Sequence, residues 1–157
     1  MFRIKKVHIV LSIIFFLLLL YVTVASITDA ISLSWIAWPT VDTETIDKVI
    51  LFSWLIFSWG ILTLAVIALN LYLKNKLKWL KVICLFVMTV LFLVFACIIK
   101  TEPFSNISGT AETIVLSEFS NYMLGFATCF VYFVITLIDN IFSLVNAKKV
   151  EVEDGKK

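Results

Sequence analysis

Charge is what this sequence has least of. Asp, Glu, Lys and Arg together make up 15% of its 157 residues, against about a quarter in a soluble domain. With 62% hydrophobic residues and a mean hydropathy of +1.07, the chain is too apolar to stay in water. Histidine occurs once, as His8, which excludes bis-imidazole haem ligation and any multi-histidine metal site. The three cysteines, Cys84, Cys97 and Cys129, all lie in apolar runs. Their odd number excludes a complete set of internal disulfides, and the lack of CxxC spacing excludes a thiol-redox pair. They read as small apolar residues. Both prolines, Pro39 and Pro103, fall between the apolar runs, which argues against the broken helices of secondary transporters. A net charge of +2 on scattered basic residues offers nucleic acid no surface.

What is present is four long apolar runs, about 7–28, 49–73, 82–99 and 119–145. At about 1.5 Å per residue each matches or exceeds a hydrocarbon core of about 30 Å. A segment alone in lipid can satisfy its backbone polar groups only as a helix. The expected fold is therefore an all-α membrane protein, a four-transmembrane-helix bundle forming one domain over 1–147 with a charged tail at 148–157. The first run has a basic start but is longer than a signal-peptide core, so it reads as a retained helix. Lysine and arginine set the orientation. Arg3, Lys5 and Lys6, then Lys74, Lys76, Lys78 and Lys81, then Lys148, Lys149, Lys156 and Lys157 share one side, leaving Lys48 and Lys100 opposite. The positive-inside rule places both termini in the cytoplasm, in the plasma (bacterial inner) membrane.

In the first outer connection Ile27, Ile31, Trp35 and Trp38 recur at helical spacing. They predict a short interfacial helix after the first span, ended near Pro39. The second, Lys100 to Glu118, reads as a loop, with Asn106-Ile107-Ser108 as a formal glycosylation acceptor. The short 74–81 connection forces the second and third helices into an antiparallel hairpin. The fourth helix is expected to continue beyond the membrane, with Ile138, Ile141, Phe142 and Val145 on one face and Asp139, Asn140, Ser143 and Asn146 on the other. Alone, the tail should lack structure.

Few residues offer chemistry. Asp139, with Asn140 beside it, is the one acid inside an apolar run. It suits a proton or cation site, a salt bridge at the inner rim, or an interfacial position reached by water. No Ser–His, Cys–His or paired-carboxylate set lies in the runs, so no enzyme, cofactor or metal is expected. Small residues let helices approach closely: Ser53, Gly60, Thr63 and Ala68 in the second run, and Gly125, Thr128, Cys129 and Thr136 in the fourth. They are expected to pack copies into a homo-oligomer. Ile138, Ile141, Phe142, Val145, Lys148, Lys149, Glu151 and Glu153 would dock a cytoplasmic protein, and Trp35 and Trp38 would face outward at the lipid interface. The expected function is a non-catalytic membrane subunit, sensor or anchor. The alternative is an oligomeric ion channel or small transporter using Ser53, Ser58, Thr63 and Asn70. In size, span count and polarity the chain resembles bacteriocin immunity proteins and membrane subunits of phage-defence assemblies such as the Kiwa system. That resemblance implies a role in bacterial defence or immunity.

Overall fold

A computed structural model describes the backbone of residues 2–36, 43–74, 76–100 and 109–154, and the side chains of 9–35, 44, 46–74, 76–100, 109–110 and 112–146. The described residues form four helices, α1 (Phe2–Ile36), α2 (Thr43–Tyr72), α3 (Lys78–Lys100) and α4 (Thr110–Asp154), and no strand. All four are long and apolar enough to cross a membrane, over Ile9–Trp35, Ile46–Tyr72, Lys78–Lys100 and Glu112–Asn146. The hydroxyl residues within them do not break the ladder. Thr28, Ser58, Thr89 and Thr128 each donate to the carbonyl four residues back, at 2.7–2.9 Å, so they leave no bare donor toward lipid.

The helices form a ring. α1 packs on α2 and α4, and α3 packs on the same two. Successive helices run in opposite directions, so the bundle has an acidic end, where α1 stops and α4 starts, and a basic end around 74–81. Leu19, Val22, Ile56, Leu64, Met88, Phe92, Tyr122 and Cys129 fill the centre. The most apolar window of α3 is 50% buried, against 28% for α1. α1 turns Ile13, Leu17, Leu20 and Tyr21 outward, in keeping with a lipid-facing helix.

Several boundaries differ from the sequence expectations. α1 runs unbroken to Ile36, so Ile27, Ile31 and Trp35 lie on the same helix as the first apolar run. Ser32 and Ser34 bond back to the carbonyls of Thr28 and Ile31, at 2.9 and 2.6 Å. Trp35 is 82% exposed, and Trp38 and Asn106 lie outside the described residues. At the other end of the bundle Lys78 and Lys81 belong to α3 rather than to the connection. Between α2 and α3, Lys74 takes a left-handed conformation (φ 51°), and the Asn70 side chain accepts from the Leu77 N–H at 3.0 Å.

α2 carries Glu44 in its first turn, paired with Lys48 at 2.7 Å. The Lys48 hydrogen bond and charge hold that carboxyl below its ordinary range.

α4 starts at Thr110, just after Gly109 (φ 77°), so Glu112 and Glu118 are helical, not loop. At its far end the backbone stays helical to Asp154, which includes most of the tail expected to lack structure. Lys148 precedes Glu151 by three residues and Lys149 precedes Glu153 by four, spacings that support a helix. Tyr132 meets Ser12 across the bundle. By helical rise the start of α1 is then level with about residue 142, and α4 reaches about 18 Å further.

Candidate functional site

Two polar layers sit at opposite ends of the apolar centre. The one at the acidic end is built on α4. Val115, Glu118, Tyr122, Gly125, Cys129, Tyr132 and Thr136 alternate at spacings of three and four, which places them on one stripe of the helix. All of them are buried or half-buried, and Glu118 is 0% exposed. Ser53 of α2 donates to Glu118 Oε1 at 2.9 Å and lies 2.8 Å from the Tyr122 hydroxyl. With the carboxyl ionised, the single Ser53 proton goes to Glu118, which leaves Tyr122 to donate to Ser53. On α1, Asp29 Oδ2 accepts from Ser117 Oγ at 2.7 Å and from Asn121 Nδ2 at 2.8 Å. One turn deeper on α1, Ser26 stands beside the Glu118 carboxyl. Yet neither Ser26 Oγ nor Glu118 Oε2 makes a hydrogen bond of good geometry, although both are enclosed. Among the described residues no lysine or arginine pairs with Glu118. Lys100 of α3 lies 5.7 Å from the neighbouring Phe119 ring. Deeper in the bundle, Phe92 and Phe95 close the layer, their rings 6.3 and 6.5 Å from that of Tyr122.

The layer at the basic end centres on Lys81, which is buried with its Nζ 4.3 Å from the centre of the Tyr132 ring. That ring stacks on Phe15 at 4.6 Å, and its hydroxyl donates to Ser12 at 2.7 Å. A cation over an aromatic face is stabilised further once desolvated. Asp139 is exposed, with the Lys81 charge near enough to attract it. Its neighbour Asn140 is buried, and its Nδ2 makes no hydrogen bond. The layers stand well apart: Glu118 and Asp139 are separated by about 31 Å of helix.

The small residues lie between or within these layers, and most are engaged inside the chain. A Cβ on Gly60 would collide with Thr23 of α1, and one on Gly125 would stand 2.5 Å from Cε1 and Cζ of Phe92 in α3. Thr63, Thr128 and Cys129 are buried, and Ser53 serves the Glu118 carboxyl rather than a mere close approach. Thr136 donates to the Tyr132 carbonyl at 2.7 Å. Of the set, Ala68 is exposed. The stripe suggested for a pore is not one surface either: Ser58 is exposed, whereas Ser53, Thr63 and Asn70 are buried. Ile138, Ile141, Phe142 and Val145 are all exposed. Lys148, Lys149, Glu151 and Glu153 lie on the α4 extension, where only the backbone is described.

Glu118 and Lys81 are the residues that sequence reasoning missed, because each was assigned to a connection. The three-and-four alternation from Val115 to Thr136 was the available signal for Glu118. Among the described residues no group of three or more His, Cys, Asp or Glu side chains is placed to hold a metal ion. No known protein family, curated protein or solved structure matches this chain.

Proposed function

We propose that this chain is a non-catalytic, multi-pass membrane subunit that anchors a soluble partner at its lysine-rich side. The observation that carries the reading is the reach of α4, whose backbone continues to Asp154, about 18 Å beyond the start of α1. Its exposed Ile138, Ile141, Phe142 and Val145 lead into that extension and give a partner an amphipathic helix to grip. The lysine distribution supports a cytoplasmic placing of this side, with both termini inside, and a bacterial inner membrane is the setting proposed. A defence or immunity assembly is one setting that suits such a subunit. Copies of the chain would meet through outward surfaces, because Gly60 and Gly125 are already covered within one chain.

An ion-conducting role has less support. Between the two polar layers Val22, Ile56, Met88 and Phe92 pack in the centre of the bundle. The test is purification of the full chain from its membrane in mild detergent, followed by native mass determination. A stoichiometric soluble protein should accompany it. Truncation after Val145 should release that protein while thermal unfolding and helical circular dichroism stay unchanged. A partner retained by the truncated chain, or a full chain that carries none, would overturn the reading.

A further inference from the structure

We infer that the acidic end of the bundle is a closed binding site for a single monovalent cation, a proton or a sodium ion, held by Glu118 and the hydroxyls around it. This site is independent of partner docking on α4, and each can fail without the other.

The first ground is enclosure without a counter-charge. Glu118 is fully buried and has no basic partner among the described residues. An ionised carboxylate in such a place is strongly unfavourable unless a cation joins it. The second ground is unfilled coordination. Glu118 Oε2 and Ser26 Oγ are both enclosed, side by side on facing helices, and neither makes a hydrogen bond of good geometry. Native structures rarely leave two adjacent buried polar atoms unsatisfied without a role.

The chemistry of the surroundings defines the ligand. Glu118, Ser26, Ser53 and Tyr122 offer oxygen and no nitrogen or sulfur, which suits a hard cation. One buried carboxyl supplies one negative charge. The second acid, Asp29, is half-buried at the rim and already accepts from Ser117 and Asn121, so it attracts a cation inward more than it completes a divalent site. Among the described residues the other charged groups at this end are Lys100 on α3, over Phe119, Glu44, Asp47 and Lys48 near the start of α2, and Glu112 near the start of α4, all exposed. Tyr122 is the remaining titratable neighbour. Phe92 and Phe95 seal the inner side, so the ion is bound and not passed on. Once bound, it ties α1 through Ser26 and α2 through Ser53 to α4.

The experiment is thermal unfolding of the purified full chain in sodium, lithium, potassium or choline chloride at constant ionic strength, on the acid and alkaline sides of neutrality. If sodium is the ligand, the alkaline sample gains about 5 °C in sodium over choline at about 100 times the half-saturating concentration. If the proton is the ligand, unfolding temperature falls as pH rises, equally in every salt, because the folded state then loses the proton that favours it. Glu118→Gln should abolish whichever response is seen. Ser26→Ala removes an oxygen that makes no other hydrogen bond. It should raise the half-saturating sodium concentration about tenfold or, if the proton is the ligand, move the pH at which the response is half complete, and it stands in for Glu118→Gln if that variant does not accumulate. A wild-type chain indifferent to both salt and pH would overturn the site, as would a Glu118→Gln chain with an unaltered response.

Discussion

Gly60 faces Thr23, and the atom that a new Cβ would strike there is the threonine methyl. Thr23 cannot swing away freely, because its hydroxyl is held by the carbonyls of Leu19 and Leu20 at 2.9 and 3.0 Å. Gly60→Ala should therefore push α1 from α2 and destabilise the bundle by about 1–3 kcal/mol. Thr23→Ser deletes the struck methyl, so the double variant should recover most of the loss. A double-mutant cycle of unfolding free energies checks this, and additive losses would mean that the two side chains do not meet. Gly125→Leu would drive a larger side chain into Phe92. It should unfold the chain rather than separate copies of it, which thermal melts of the solubilised protein would report. At this scale the sequence was only partly legible. Small residues marked close approach, but not whether the surface met was the same chain or another. Ser53 looked like a packing residue because its partner, Glu118, had been assigned to a loop.

The four helices themselves were plain from their apolar runs, since length and composition decide that a segment must be helical in lipid. Their ends were not. A run of apolar residues shows where lipid is tolerated, whereas a helix ends where hydrogen bonding or backbone conformation ends it. Thus α1 and α4 run on into polar sequence, α1 with its serine and threonine hydroxyls bonded back to its own carbonyls and α4 through a stretch with lysine and glutamate at helical spacing. The α2–α3 turn shows such an ending. The Asn70 side chain is 1% exposed and receives the Leu77 N–H. Asn70→Leu should leave that N–H unsatisfied and cost about 1–2 kcal/mol, read as a lower unfolding temperature. No change would mean that water or another carbonyl replaces the amide.

For the whole molecule, eleven of the 13 basic residues gather at one side in the sequence, and this asymmetry carries the proposed topology. A fluorescent protein fused to the C-terminus should light up in cells, and alkaline phosphatase fused there should stay inactive; the reverse pattern would invert the molecule in its membrane. The bundle is also built to one thickness. On α3, Lys81 and Lys100 are separated by 19 residues, about 28 Å of helix, while the spans of α1 and α4 cover 27 and 35 residues. The longer helices can tilt or protrude to suit a thicker bilayer, but α3 would have to draw the exposed Lys100 into hydrocarbon. Hydrophobic mismatch therefore acts on this protein through its shortest span. It should be most stable in short-chain lipids and should gather wherever a membrane is thin.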